Sequence, residues 1–168
     1  MKNMFTILLL FFGLNFMFSQ SPCDTIEDYR RFDFWLGEWE VFSDGNKIAE
    51  SSITLTKGNC GIIENYNPFN NAGGSSISYF DAADKKWKQE WVANGHVSHY
   101  VEPNHYTEGE MQLVAKHIDQ KGNEFWLRMI YYYDKKQDSV RQLMERSTDN
   151  GVTWQKVFDG LYKRKTAN

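Results

Sequence analysis

This sequence has little proline, little cysteine and no excess of basic charge. Its 168 residues include 3 prolines and 2 cysteines, and no stretch is of low complexity. With 16% aromatic residues, such a composition is typical of a compact globular domain rather than of a disordered chain. The 19 basic and 22 acidic residues give a net charge of −3, so the chain lacks the basic excess expected of a nucleic-acid-binding protein.

Further absences narrow the fold and the chemistry. No helical stripe is long enough for a crossover between parallel strands, which excludes a parallel α/β sheet. The sequence has no G-x-S-x-G elbow and no cysteine–histidine signature, so no nucleophilic triad is indicated. His96 and His99 would point to opposite faces of a strand and could not share a metal ion. We therefore assign no metal site and no catalytic residue.

The first 19 residues have the pattern of a secretory signal. Lys2 supplies a positive charge, residues 7–12 are apolar, and Ser19 is a small residue before a cleavage site at Gln20. A membrane-spanning helix is the alternative, but Asn15 interrupts a stretch that is already short. We predict that residues 1–19 are removed. Residues 20–168 would then form one periplasmic or secreted domain with no stable membrane insertion.

Cys23 and Cys60 are the two cysteines. Two cysteines in an exported chain often pair, because the compartment is oxidising. A bridge would tie the N-terminal segment to the rest of the domain. The alternative is two free thiols, with Cys60 buried and Cys23 in a mobile terminus.

Hydrophobic residues recur with a period of two along almost the whole chain after residue 37, which indicates strands. Turn signals such as Asp44-Gly45 separate them. We predict a short helix over 25–31 and an all-β fold of about ten antiparallel up-and-down strands. Closure into a barrel is favoured because it removes exposed strand edges. The predicted strands are 38–43, 47–56, 60–66, 75–80, 86–93, 96–102, 110–118, 124–133, 139–147 and 153–163.

Residues 32–41, FDFWLGEWEV, are the most aromatic part of the chain. Large aromatic side chains bury much surface and dominate core energetics. We predict that Phe34 and Trp35 close one end of the barrel and that Trp39 points into it. Gly37 has no Cβ, so another segment can approach closely there.

The Gly37-x-Trp39 pair on a first strand resembles the opening of calycin-type barrels, which include lipocalins, fatty-acid-binding proteins and nitrobindin-like proteins. The resemblance implies that a basic residue of the last strand crosses Trp39, and Arg164 is the candidate. The longer run 32–41, with GNCGIIE at 58–64 and FDGLY at 158–162, resembles the DUF1579-type group of small secreted bacterial proteins of unknown function.

Haem is the cofactor that a nitrobindin-like resemblance would imply. Its axial histidine would lie near the C-terminal end of the barrel, but no histidine follows His117. His99, His105 and His117 are the available substitutes, and none is placed as an evident axial ligand. We therefore predict no cofactor.

The segment STDNGVTW at 147–154 matches the Asp-box pattern S-x-D-x-G-x-T-W of sialidase-like propellers. One copy without repeats does not make a propeller. Its residue types are those a tight turn requires, so Asp149, Gly151 and Trp154 are predicted to have structural roles in a hairpin.

Polar residues interrupt several aromatic strands, and we predict that they line the barrel interior. Aromatic walls with a few fixed polar groups are typical of small-molecule sites, and an inward arginine would select an anionic head group. The alternative is that these residues face water and pair across the sheet, as Arg128 and Glu145 could. The predicted ligand-binding residues are Trp87, Gln89, Trp91, Trp126, Arg128, Tyr132, Arg141, Met144 and Glu145.

Three functions remain open from the sequence. The first is an exported barrel that binds a small apolar or amphipathic molecule, with an anionic head group as one form. The second is an envelope interaction or structural protein whose barrel is filled. The third is a small isomerase or hydrolase in which Glu64 or Glu145 is the acid–base and an arginine stabilises an anion.

Overall fold

In the computed structural model, which describes residues 21–103 and 107–166, ten antiparallel strands form a closed barrel. Each strand pairs with its neighbours in sequence, and β1 pairs with β10 to close the barrel. The predicted all-β up-and-down barrel is confirmed. The predicted signal at 1–19 and His105 lie outside the described residues. Among the described helices, none is long and apolar enough to cross a membrane.

The strand bounds differ from the predicted ones by at most two residues. This agreement reflects strong turn signals: Asp44 and Gly45, for example, both adopt the positive φ that a tight hairpin turn needs. The strands are β1 Gly37–Ser43, β2 Asn46–Leu55, β3 Gly61–Pro68, β4 Gly74–Asp81, β5 Lys86–Ala93, β6 His96–Val101, β7 Glu110–Ile118, β8 Glu124–Asp134, β9 Ser139–Ser147 and β10 Gln155–Arg164.

The N-terminal cap, residues 21–36, covers the end of the barrel where β1 begins. Its helix α1 spans Pro22–Thr25, and 3₁₀ turns follow at Glu27–Arg30 and Asp33–Trp35. The predicted short N-terminal helix is present, with a 3₁₀ turn inside the predicted range 25–31 and an α-helix that begins earlier, at Pro22. The reason is local: the Ser21 hydroxyl accepts a hydrogen bond from the Cys23 amide at 3.3 Å, and Pro22 suits the first helical position.

A disulfide joins Cys23 of the cap to Cys60 in the β2–β3 loop, as predicted. Next to it, the Asn59 side chain donates a hydrogen bond to Asp24 at 2.7 Å. Farther around the barrel, on β5, the Trp87 indole N–H donates to the Asp28 carbonyl at 2.9 Å. The cap is thus fastened to the barrel at separate points.

Aromatic side chains fill the half of the barrel beneath the cap. Phe32, Trp35, Trp39 and Trp87 are fully buried. The Phe32 ring stacks on Trp35 with centroids 5.0 Å apart and meets Trp87 edge-on at 5.7 Å. Phe34 is partly buried and stacks on Tyr133. The predicted closure of one barrel end by the aromatic stretch is confirmed.

Arg164 crosses Trp39 where β1 meets β10. Its guanidinium lies 3.8 Å from the Trp39 ring centroid, donates to the Leu36 carbonyl and is paired with Asp138. The Trp39 indole N–H donates to the Trp35 carbonyl at 2.8 Å. Gly37 has a φ of +128°, and a Cβ there would overlap the guanidinium. The predicted cation–π contact and close approach at Gly37 are both present.

The Asp-box segment forms the turn between β9 and β10, as predicted. The Asp149 carboxylate accepts from the Thr153 amide and hydroxyl at 2.9 and 2.6 Å. These bonds lower the pKa of Asp149 to about 2. Gly151 has a φ of +84°, and its carbonyl accepts from the Trp154 indole at 3.0 Å. The segment is a structural hairpin.

Candidate functional site

The half of the barrel away from the cap contains a cavity of about 380 Å³. Its rim residues come from strand ends distant from the cap and are partly exposed, whereas the side chains nearer the cap are buried. The cavity therefore opens at the end opposite the cap. The rim residues are Tyr66, Trp91, Ser98, Leu127, Met144 and Phe158.

Buried polar side chains form the floor of the cavity. Glu64 lies on β3, Gln89 on β5, Tyr131 on β8, Gln142 on β9 and Tyr162 on β10. Strand alternation places each on an inward position, as Ile62, Glu64 and Tyr66 illustrate on β3. All five are less than a tenth exposed, so each needs a hydrogen-bond partner.

The Glu64 carboxyl is held by two serines from the flanking strands. Ser51 Oγ on β2 donates to Oε1 at 2.9 Å, and Ser76 Oγ on β4 donates to Oε2 at 3.3 Å. Burial raises the pKa of Glu64 to about 7, although hydrogen bonds from Ser51 and Ser76 and the nearby Tyr162 hydroxyl act in the opposite direction. The carboxyl is therefore poised to change its charge near neutral pH.

Across the floor from Glu64, a chain of hydrogen bonds links Tyr162, Gln142 and Tyr131. The Tyr162 hydroxyl donates to Gln142 Oε1 at 2.7 Å, and Gln142 Nε2 donates to the Tyr131 hydroxyl at 3.0 Å. Gln89 Nε2 donates to Ser78 Oγ at 2.9 Å. These bonds fix the orientation of both amides and present a rigid polar surface to the cavity.

Tyrosines are the other ionisable side chains that line the cavity. Burial raises the pKa of Tyr100 to about 12 and raises the pKa values of Tyr131 and Tyr162 well above their usual value. Burial is also the main cause of a raised pKa at Tyr66. All four stay neutral at physiological pH. Among the lining residues, Glu64 is therefore the group that titrates near neutral pH.

Four of the predicted site residues face the interior. Gln89, Trp91 and Met144 line the cavity. Trp87 is fully buried, but it packs against Phe32 in the filled half and does not line the cavity. The period-two pattern on β5 thus assigned the inward face correctly.

The other five predicted site residues lie on the outer face, and their placement in the interior is wrong. They are Trp126, Arg128, Tyr132, Arg141 and Glu145. On β8 the inward positions are Leu127, Met129 and Tyr131, so the residues between them point outward.

Cross-strand partners satisfy the outward arginines. Arg128 is paired with Glu145 at 2.5 Å, and its guanidinium lies 4.2 Å from the Trp154 ring centroid. Arg141 makes a two-point ion pair with Asp159 at 2.8 and 2.7 Å. The alternative stated from the sequence, in which Arg128 and Glu145 face water and pair across the sheet, is the arrangement found in the structure. Neither arginine reaches the cavity, so neither can select an anionic head group there.

Sequence reasoning missed the floor residues Tyr131 and Tyr162. It noted Glu64 and Gln142 as polar residues within aromatic strands but did not include them among the ligand-binding residues. A signal was available on β9. Arg141 and Met144 are three residues apart, so a regular strand cannot point both inward. Choosing Met144 as inward would have brought in Gln142 and excluded Arg141 and Glu145.

Among residues 21–103 and 107–166, no group of three or more His, Cys, Asp or Glu side chains is arranged to hold a metal ion. Neither known protein-family models nor curated protein sequences show a match to this chain.

Proposed function

We propose that this protein is an exported binding protein that holds one small, mostly apolar molecule in the cavity opposite its cap. The observation that carries the proposal is the cavity of about 380 Å³, with aromatic and aliphatic walls above a buried polar floor. Small-molecule sites are typically ~300–1,000 Å³ and combine apolar walls with a few fixed polar groups.

Export is supported by the Cys23–Cys60 disulfide together with the N-terminal sequence pattern. Membership of the DUF1579-type group, and a more distant relation to calycin-type barrels, are part of the proposal. The ten-stranded closed barrel and the contact between Trp39 and Arg164 support the relation to calycin-type barrels, and the sequence runs named above support the DUF1579-type membership.

The cavity weighs against the filled barrel of a purely structural protein. The alternative of a hydrolase or isomerase needed a carboxyl and an arginine in one cavity. Glu64 is present there, but among the described lining residues no arginine accompanies it. A binding function therefore accounts for more of the site than catalysis does.

Trp91 at the rim provides a reporter for the test. Titration of the mature protein with medium-chain alcohols should give a saturable change in tryptophan fluorescence, because the ligand would displace water beside the Trp91 ring. Trp91→Phe should lose most of this change. Trp126→Phe is the matched control, since Trp126 lies outside the barrel, and it should keep the change. Absence of saturable binding in wild-type protein, checked by calorimetry, would overturn the proposal.

A further inference from the structure

We infer that the ligand carries a protonated amine and that the Glu64 carboxylate binds it; this inference rests on the proposed binding function. The apolar body of the ligand would occupy the space between the floor and the rim. The amine would point toward β3, where Glu64 lies between the two serines.

The charges that face Glu64 are the first argument. The titratable side chains around it are Tyr66 on β3, Tyr100 on β6, Tyr131 on β8 and Tyr162 on β10. Strands β2, β4, β5 and β9 contribute neutral serine and glutamine side chains. The described lining residues include no lysine, arginine or histidine. The negative charge of the buried Glu64 carboxylate must therefore be neutralised either by a proton or by a cationic ligand.

The hydrogen bonds of Glu64 are the second argument. Each carboxylate oxygen accepts one serine hydroxyl, at 2.9 Å from Ser51 and 3.3 Å from Ser76. The Tyr162 hydroxyl lies near the carboxyl but donates to Gln142 at 2.7 Å. An ionised carboxylate has about four acceptor positions, so the serines orient the group without saturating it. The remaining lone pairs suit a donor such as an ammonium group, which has N–H bonds and no acceptor.

The aromatic walls are the third argument. Tyr66, Trp91, Tyr100 and Phe158 surround the cavity on several strands. Aromatic faces attract cations through their quadrupole, most strongly when the site is desolvated. A carboxylate at the base of an aromatic enclosure favours an organic ammonium ion and repels a carboxylate ligand.

A consequence for pH follows from this arrangement. Because Glu64 ionises close to pH 7, the affinity for an ammonium ligand should rise as the pH increases through that value. The affinity for a fatty acid should fall over the same interval. The amine probe itself stays charged, since alkylammonium groups titrate near the value for lysine, about 10.4.

The test compares three probes of one chain length: octylammonium, octanol and octanoate. Calorimetric titrations at about pH 5.5 and about pH 8.5 lie below and above the transition of Glu64. At the higher pH, octylammonium should bind at least about tenfold more tightly than octanol, the effect of one charge-assisted hydrogen bond. Its affinity should drop at the lower pH, while that of octanoate should increase.

Variants assign the effect to Glu64. Glu64→Gln should abolish the preference for octylammonium, so that the variant binds octylammonium no more tightly than octanol. Glu90→Gln is the matched control, because Glu90 lies on β5 facing outward beside His99, and it should keep the preference. The wild-type pH comparison gives a second readout that does not depend on how the variants fold.

Equal affinities of octylammonium and octanol, or tightest binding of octanoate at the higher pH, would overturn the amine inference while leaving the binding function intact. If none of the three probes bound, both the inference and the binding function would fail.

Discussion

At the residue scale, the Glu64 carboxyl couples folding to pH. Burial raises its pKa from 4.5 to about 7, so ionisation costs the folded state free energy. The stabilising contribution is complete below pH 4.5 and is lost as the pH rises through 7. The free energy of unfolding of wild type relative to Glu64→Gln should therefore fall by about 3 kcal/mol across this interval.

Urea denaturation of both proteins without ligand, at several pH values, measures this difference. Subtracting the free energy of unfolding of Glu64→Gln from that of wild type at each pH removes the contribution of all other titrating groups. Parallel stability curves would show that the folded protein does not alter the titration of Glu64.

Also at the residue scale, Trp39 and Arg164 should be energetically coupled. Trp39→Ala removes a fully buried indole and should cost about 3–5 kcal/mol. Arg164→Ala should cost less, about 1–2 kcal/mol, because its side chain is partly exposed and its ion pair with Asp138 contributes little at the surface beside the cation–π contact. Since the two groups are in contact at 3.8 Å, the double variant should cost less than the sum.

A double-mutant cycle in urea provides this measurement. Arg164→Lys is the control, because it keeps the charge but lacks the planar fork that reaches both the Leu36 carbonyl and Asp138. Full additivity of the two alanine substitutions would mean that the contact contributes nothing to stability.

At the scale of elements, the disulfide should stabilise the attachment of the N-terminal cap. It closes a separation of 37 residues, for which chain entropy gives about 3–4 kcal/mol. Reduction should lower the free energy of unfolding by that amount, which a fall in the urea midpoint would show. Reduction should also speed hydrogen exchange at the Trp87 indole N–H, which donates a hydrogen bond to Asp28 of the cap.

The double variant Cys23→Ser/Cys60→Ser separates this effect from that of the reductant. Its midpoint should match that of the reduced wild type and should not respond to reductant. Thiol titration of denatured, unreduced wild type should find no free thiol, and two reactive thiols would contradict the bridge.

The elements themselves were predictable because two local signals agree along the chain. The recurrence of hydrophobic residues at every second position predicted the strands. Residues that can adopt a positive φ, such as Asp44 and Gly45, predicted where the strands end. The Asp-box turn was predictable for the same reason, since the hydrogen bonds that shape it join Asp149 to Thr153 and Trp154 to Gly151 within the segment itself. The α-helix begins before the predicted range because sequence reasoning overlooked the cap formed by Ser21 and Pro22.

At the scale of the whole molecule, the inward face could be assigned only where the two faces of a strand differ in polarity. On β5, Trp87, Gln89 and Trp91 alternate with the charged Lys88 and Glu90, so the inward face was clear. On β8 both faces are aromatic and apolar, and period alone could not choose between them. Arg128 on β8 and Arg141 on β9 were misplaced because cross-strand partners, which a linear sequence does not reveal, satisfy them outside the barrel.

Whether the barrel is open or filled can be tested with two leucines on its inner wall. Leu127 lines the cavity, whereas Leu113 is fully buried in the packed core. Leu113→Trp should cost about 1–3 kcal/mol or more, because a larger side chain in a close-packed interior forces its neighbours to move. Leu127→Trp should change the free energy of unfolding by less than about 1 kcal/mol, because the cavity offers room for the indole. The same Leu127→Trp protein should lose octanol binding, since the indole would occupy the ligand's space. Urea denaturation and calorimetry on the pair give both readouts, and equal destabilisation by the two substitutions would show that the cavity is not open in solution.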